Sequence, residues 1–208
     1  EMEVASLSLR DMLPEYDWSN GHAFKRYETR QPAEWKSVKA EQAITYDFCR
    51  FVGLYTAEGS MAFRWDGEPS GSFRFSFNLN EGDLQQFCLD AARSMWGIEG
   101  SLYQYPDTSK AEVHFCCKPV ADMLLRLCGS GAENKHLPYE CFQWPLPARL
   151  ALLDGLLQGD GKNPNRESNK SQQTTLKASS RTLADQTRRL LMDFGQWSTV
   201  AAVENSFQ

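Results

Sequence analysis

Two nine-residue segments with a shared pattern decide the fold of this chain of 208 residues. Phe51–Gly59 reads Phe-Val-Gly-Leu-Tyr-Thr-Ala-Glu-Gly, and Leu153–Gly161 reads Leu-Asp-Gly-Leu-Leu-Gln-Gly-Asp-Gly. Each copy carries two small residues four positions apart, a spacing that lets two helices approach closely along one face. Each copy then ends on an acidic residue followed by glycine. Because the copies are offset by 102 residues, we interpret them as the same element of two repeats.

The residues around the first motif predict a complete mixed repeat. A helix is expected to begin after Thr45 or Asp47 as its cap and to end at Gly59. The following strands are indicated by a period of two, clearest where Phe73, Phe75 and Phe77 alternate with polar residues. The predicted order from residue 44 to 128 is helix 48–59, strands 61–65 and 72–79, helix 83–96, strands 101–105 and 111–118, and helix 120–128.

The second motif predicts a shorter version of the same order. Leu150–Gly161 is expected to be an apolar helix, Thr175–Ala178 a strand, and Leu183–Phe194 a helix that ends at Gly195. The second repeat is therefore expected to be truncated, without its last strand and helix. We divide the chain into an irregular or short-stranded N-terminal segment (residues 1–43), a first repeat (44–145) and an incomplete second repeat (146–208).

Composition excludes several classes of protein. The six cysteines lie mostly in apolar runs, so we expect reduced, buried thiols rather than a disulfide scaffold. A zinc site at Cys116, Cys117 and His114 is disfavoured, because adjacent strand residues point to opposite faces. No apolar run approaches the roughly 18 residues that a membrane span needs. The sequence thus predicts a globular domain without a membrane partner.

The charge of the chain is unevenly distributed. A net charge of -5 argues against a nucleic-acid partner when it is taken alone. Lys162–Arg189, however, contains seven basic and two acidic residues, so the remainder carries a net charge of -10. The acidic total therefore hides a basic stretch. Within it, the polar residues 163–173 are interpreted as a loop that orders on a phosphate backbone or as a plain surface loop.

The two motifs together resemble those of the LAGLIDADG, or dodecapeptide, homing endonucleases. Gly53–Ser60 resembles the form found in inteins, and Asn134–Pro138 stands where the family has Asn-Lys-x-x-Pro. Ser179–Gly195 is similar to part of the family's second repeat. The resemblance implies an α+β fold of two pseudo-symmetric αββαββα repeats, with the motif helices at the centre and a saddle of strands over the DNA major groove.

The resemblance also implies a metal-dependent cleavage site. Glu58 and Asp160 would hold Mg²⁺ or Mn²⁺ with the backbone of Gly59 and Gly161, and Lys135 would polarise the attacking water or steady the developing charge. Carboxylate-bound Mg²⁺ suits phosphodiester hydrolysis because it acidifies water and clamps phosphate oxygens. The alternative is that both acids are solvated helix ends, although the helix dipole disfavours such an acid by up to ~1 kcal/mol. A lysine in a polar loop is likewise commonly solvated.

Polar and basic residues outside the motifs are candidates for contacts to bases and phosphates. One set follows the polar face of the predicted hairpin, where the alternative is an ordinary solvated sheet face. The other set lies in and around the basic stretch. The candidate DNA-binding residues are Arg64, Ser72, Arg74, Ser76, Asn78, Lys162, Arg166, Lys170, Lys177 and Arg181.

These observations lead to three functional hypotheses. The first is a Mg²⁺-dependent homing endonuclease that cuts both strands of DNA, encoded in an intein within a host protein, with residues 1–43 as a remnant of the protein-splicing region. It would be a monomer with internal pseudo-twofold symmetry, in the cytoplasm, on the nucleoid or encoded by a virus. The second is a cleavage-inactive module that binds DNA or RNA, as a regulator or in the manner of a maturase. The third is an interaction domain whose repeat is coincidental, for which binding would not depend on salt.

Overall fold

The computed structural model describes residues 5–18, 38–162 and 175–201. Its helices and strands follow one another in the order predicted around both motifs. In chain order they are β1 (Ser6–Ser8), α1 (Leu9–Met12), β2 (Glu41–Ala43), α2 (Tyr46–Glu58), β3 (Gly59–Phe63), β4 (Pro69–Asn78), α3 (Gly82–Trp96), β5 (Ser101–Tyr105), β6 (Lys110–Cys116), α4 (Lys118–Cys128), α5 (Leu146–Asp160), β7 (Gly161–Lys162), β8 (Thr175–Leu176) and α6 (Arg181–Asp193).

Local sequence explains where α2 begins and ends. Phe48 N–H donates to the Thr45 hydroxyl at 3.2 Å, so Thr45 rather than Asp47 is the cap. Gly59 ends the helix in an extended conformation, with φ -77° and ψ 147°, and directly begins β3. The acid of the first motif therefore lies at a junction between helix and strand.

The first repeat contains a four-stranded antiparallel sheet in the order β3-β4-β6-β5. Phe73, Phe75 and Phe77 of β4 are buried, and the residues between them form the opposite face, as the period of two predicts. Phe51 of α2 packs on the buried face, with its ring 5.0 Å from the Phe75 ring and 5.2 Å from the Trp96 ring. β3 ends two residues before its predicted end at residue 65, and β4 begins three residues before its predicted start at residue 72, because the last pair of the hairpin is Phe63 with Pro69.

The two motif helices pack directly on each other. A Cβ added to Gly53 would lie closer than 3.0 Å to the Leu152 carbonyl oxygen, and one added to Gly155 equally close to the Arg50 carbonyl oxygen. Because 50 and 152 correspond at the same offset as 53 and 155, this contact is reciprocal. The small residues thus bring α2 and α5 into backbone contact, as expected from their spacing.

A chain of hydrogen bonds between polar side chains joins the same two helices along one side. We call it the polar strap; it comprises Arg50, Asp154 and Gln158. Arg50 donates to the Gln158 side-chain oxygen through Nε at 3.1 Å and through Nη2 at 2.7 Å. Gln158 donates to Asp154 at 2.9 Å, and Tyr46 donates to the same carboxylate at 3.2 Å. These side chains come from both helices, so they fix the register at which the glycines meet.

The N-terminal residues that the structure describes are short-stranded, as predicted, and they pack against the first repeat. β1 and β2 pair with each other. The Tyr16 hydroxyl donates to Asp122 of α4 at 2.5 Å, and Trp96 of α3 donates to Gln42 at 2.8 Å. Residues 5–18 and 38–43 therefore share the core of residues 44–128.

The second repeat differs from its prediction in the lengths of its elements. α5 begins at Leu146, earlier than the predicted Leu150, and β8 ends at Leu176 rather than Ala178. α6 is capped by Ser180, whose hydroxyl accepts from Leu183 N–H at 3.2 Å.

Five of the six cysteines are buried, and Cys116 is exposed beside the buried Cys117, as expected of adjacent residues at a strand end. Among the described helices, none combines the length and apolar character needed to cross a bilayer.

Candidate functional site

The acids of the two motifs meet where α2 and α5 end. Glu58 is the last residue of α2 and Asp160 the last of α5. The helices are so close at this end that a Cβ added to Gly159 would lie 2.5 Å from the Ala57 Cβ and 3.1 Å from the Glu58 Cγ. The glycine before Asp160 therefore allows the two carboxyl groups to approach, and both are only partly exposed.

The surroundings of these carboxyl groups favour their neutral forms. Burial, followed by the charges of Asp160 and Glu81, raises the pKa of Glu58 to about 7, against an opposing effect of Lys135. Burial also raises the pKa of Asp160, again against Lys135. Neither carboxyl group has a hydrogen bond or salt bridge to any residue in the described ranges. Two neighbouring carboxylates without a direct partner repel each other, so a bound cation would stabilise their charged forms.

Lys135 is buried at the same junction, so its interpretation as a solvated loop residue is wrong. Its side chain is 5% exposed. The ammonium donates to the Tyr55 carbonyl oxygen at 2.5 Å and lies 3.8 Å from the centre of the Tyr55 ring. Burial lowers the pKa of Lys135 to about 8, while Cys128, Asp160 and Glu58 act in the opposite direction. A cation at the C-terminal turn of α2 also complements the helix dipole.

The loop that carries Lys135 is held by contacts from both sides. His136 N–H donates to the Cys128 carbonyl at 3.0 Å. From α6, the Gln186 side chain accepts from Leu137 N–H at 2.8 Å and donates to the Leu137 carbonyl at 3.2 Å. Gln186 thus positions the lysine loop of the first repeat from the second. Sequence reasoning missed it, because nothing local connects residues 49 positions apart.

Glu81 is a second residue that sequence reasoning missed. It precedes α3 in the chain, and its carboxylate accepts from Asn78 N–H at 2.7 Å. Its charge contributes to the raised pKa of Glu58. A third acid therefore lies near the junction, and only the tertiary structure places it there.

The donors at the junction fit a hard divalent cation better than a zinc ion. Among the residues that the structure describes, no group of three or more His, Cys, Asp or Glu side chains is placed to hold a metal. Two carboxylates leave several positions around a cation for water and for phosphate. Mg²⁺ binds proteins in this way, through one or two carboxylates and the phosphates of its substrate. Gly59 and Gly161 begin β3 and β7 directly after the two acids.

The predicted DNA-binding residues are dispersed over the surface. Ser72, Arg74, Ser76 and Asn78 lie on the face of β4 opposite its buried phenylalanines. Arg64 is in the turn after β3, where it donates to Asp66. Lys177 and Arg181 are exposed before and at the start of α6. The side chain of Lys162, and all of Arg166 and Lys170, lie outside the described residues.

Two curated proteins share sequence with the chain, and no family model matches it. A region of the ATP-dependent DNA helicase Hel308 of Thermococcus kodakarensis is 27% identical over 164 residues, which is 76% of this chain and 14% of the helicase. A region of a DNA polymerase of Thermococcus hydrothermalis is 28% identical over 118 residues, which is 57% of this chain and 7% of the polymerase. The chain therefore spans a small part of each of these relatives.

Solved structures of a homing endonuclease share the fold of this chain. The crystal structure of I-DmoI in complex with DNA and manganese has a TM-score of 0.55 at 9% identity, covering 78% of this chain and 85% of that one. Mesophilic variants of the homing endonuclease I-DmoI have a TM-score of 0.51 at 12% identity, covering 75% and 77%. This similarity confirms the predicted fold class.

Proposed function

Because the chain has the fold of the LAGLIDADG homing endonucleases, we propose that it is a metal-dependent, site-specific endonuclease that cuts both strands of DNA. The proposal is carried by one observation, the meeting of Glu58, Asp160 and Lys135 at the junction of α2 and α5. A matching fold would suit a binding module equally well. Partly buried acids beside a buried ammonium are a costly arrangement that binding alone does not need.

The residues at the junction suit phosphodiester hydrolysis. Glu58 and Asp160 would hold Mg²⁺ or Mn²⁺, with backbone oxygens of Gly59 and Gly161 completing the protein's share of the ligands. When bound, such a cation lowers the pKa of water and stabilises charge on the phosphate. Lys135 keeps a donor beside the carboxylates, held by the Tyr55 carbonyl. It would orient water or stabilise the developing charge.

The surface around the junction suits a DNA duplex. The polar face of β4 presents alternating serines, an arginine and an asparagine, which are hydrogen-bonding groups for base edges and phosphates. Lys177, which directly follows β8, adds positive charge, whereas the charge of Arg181 is offset by Asp185, to which its Nε donates at 2.8 Å. We infer that DNA contacts both surfaces, and that the pseudo-twofold relation of the motifs places one acid near each strand.

An insertion within a longer host protein is the context we propose. The matching regions of the helicase and the polymerase occupy only 14% and 7% of those proteins, as an inserted endonuclease would. The intein-like form of Gly53–Ser60 agrees with this assignment.

Cleavage of a plasmid library tests the function. The library carries randomised inserts, and the protein is added with Mg²⁺, with Mn²⁺ or with EDTA. We expect double-strand ends at a defined subset of inserts with either metal and none with EDTA. If the protein binds a defined subset of inserts but cuts none of them with either metal, it is instead a binding module on the same fold.

Metal binding is expected to raise the melting temperature by about 5 °C at about pH 7.5 and by less at about pH 5.5. The pKa of Glu58 is about 7 in the folded protein, against an ordinary 4.5. The folded protein therefore holds a proton that the unfolded chain has lost, and metal-free stability falls as pH rises through this window. At low pH a cation must displace that proton, so its effect is smaller.

Differential scanning fluorimetry with Mg²⁺ or Mn²⁺, each compared with EDTA, measures this effect. Glu58→Gln provides the control, because it keeps the shape and removes the titrating group. It is expected to lose most of the metal-dependent shift and part of the pH dependence. An equal metal effect in the variant and in the wild type would show that the cation binds elsewhere.

A further inference from the structure

The polar face of the four-stranded sheet contains a buried acid. We call this surface the polar sheet face; it comprises the side chains of β4, β5 and β6 that point away from the phenylalanine core. Glu112 of β6 lies at its centre, opposite Ser76 of β4 and Tyr103 of β5 in the strand register. Glu112 is nevertheless only 5% exposed. It is covered by the side chains around it rather than by another layer of the fold.

Three basic side chains surround this carboxylate. Lys110 Nζ donates to one oxygen at 2.5 Å. His114 Nε2 lies 2.7 Å from the other oxygen, and Arg74 Nη1 lies 3.6 Å from that same oxygen. Burial alone would raise the pKa of Glu112, but the hydrogen bonds from Lys110 and His114 and the charge of Arg74 lower it. Glu112 is therefore an anion that links β4 to β6.

The same contacts fix how Arg74 and His114 are presented. Arg74 Nε donates to the Ser60 hydroxyl at 3.1 Å, so the guanidinium is oriented by one hydrogen bond and by the ion pair of Nη1 with Glu112. The N–H groups of Nη2 and the second N–H of Nη1 then remain available on a side chain that is 50% exposed. The carboxylate accepts from His114 Nε2–H, which leaves Nδ1 as the other hydrogen-bonding atom of the ring. The Tyr103 ring, 4.8 Å from the imidazole, limits its rotation.

An acid on a surface that binds DNA has a cost. Each basic residue contributes to affinity for any duplex by neutralising phosphate, and Glu112 offsets part of that contribution here. A planar guanidinium in a fixed orientation, however, pairs with the O6 and N7 atoms of guanine, which flexible charges do not distinguish. The arrangement therefore lowers the affinity for DNA of any sequence and increases the discrimination between base pairs.

We propose that Glu112 is a positioning residue for DNA recognition, which holds Arg74 and His114 in the orientation that reads base edges in the major groove. This inference rests on the proposed function, since it assigns the base-reading centre of the same enzyme. Glu112 itself is buried and does not contact DNA. Its removal should thus lower sequence discrimination while leaving, or increasing, affinity for unrelated DNA.

In vitro selection with duplexes carrying a randomised segment tests the inference, in EDTA to prevent cleavage. Wild-type protein, Glu112→Gln and Glu99→Gln are each used to select sequences, and fluorescence anisotropy gives the affinity for selected and unselected duplexes. Glu99→Gln is the matched control: it makes the same charge change on a residue that pairs with Arg93 of α3, outside the polar sheet face.

For Glu112→Gln we expect a loss of about tenfold in the ratio of selected to unselected affinity, confined to a few adjacent base pairs. Affinity for unselected DNA should be unchanged or higher. Arg74→Lys, which keeps the positive charge on a side chain that is 50% exposed, should lose preference at the same base pairs. If Glu112→Gln fails to fold, the base preference of Arg74→Lys tests the inference in its place.

The other outcomes are distinguishable. Equal gains in affinity for all duplexes, or a preference pattern identical to the wild type, would overturn the positioning role and leave the proposed function intact. A wild-type protein that selects no sequence would overturn both.

Discussion

Replacement of Glu58, the metal ligand that we propose, by glutamine is expected to lower the rate of the proposed DNA cleavage about a thousandfold, because a ligand in metal-ion catalysis contributes several kcal/mol to the transition state. Affinity for the target duplex should change by less than about threefold, since the polar sheet face that we propose to read DNA is untouched. Single-turnover cleavage with Mn²⁺ measures the rate, and anisotropy in EDTA measures the affinity. Asp160→Asn should behave in the same way.

The melting temperature of Glu58→Gln distinguishes a loss of catalysis from a loss of the folded structure. Glu58→Gln removes one of two neighbouring partly buried charges, so in EDTA near neutral pH the variant should melt at or above the temperature of the wild type. Glu99→Gln serves as the control for a surface carboxylate and should cleave normally. Wild-type cleavage by Glu58→Gln would remove this carboxylate from the site and leave the fold assignment unaffected.

Replacement of Gly53 by alanine is expected to lower the free energy of unfolding by about 3 kcal/mol, at the upper end of the usual cost of overpacking. The added methyl would lie closer than 3.0 Å to the Leu152 carbonyl oxygen and 2.8 Å from the Leu156 nitrogen. Both are backbone atoms of the facing helix, so no side chain can move aside. The helices must separate, and the polar strap of Arg50, Asp154 and Gln158 would be strained with them.

Urea denaturation followed by circular dichroism measures this change. Gly155→Ala should be similarly destabilising, because its methyl would meet the Arg50 carbonyl oxygen. Gly82→Ala is the matched control, since a methyl there has no neighbour within 4 Å and the residue lies in the first turn of α3. A stability loss at Gly53 no larger than at Gly82 would contradict the close packing of α2 and α5.

The elements of the fold were predictable where local pattern and burial agree. The alternation around Phe75 predicted β4, because one side of that strand faces the core. α3 ends as predicted at Gly97, which adopts the left-handed conformation with φ 64°. α5 begins four residues earlier than predicted, with Pro147 in its first turn, where a proline is tolerated because that position needs no intrahelical N–H bond. β8 ends two residues before its predicted end.

The sequence by itself determined the two motif helices, the small residues that let them touch and the acids that end them, because helical periodicity and short spacings are local properties. Only the tertiary structure decided that Lys135 is buried against Tyr55, 80 residues away in the chain, and that Gln186 holds its loop. It also decided that Glu112 contacts basic side chains of two strands, Lys110 of β6 and Arg74 of β4. Burial and the distance between charges are properties of long-range packing, and no pattern of neighbouring residues specifies them.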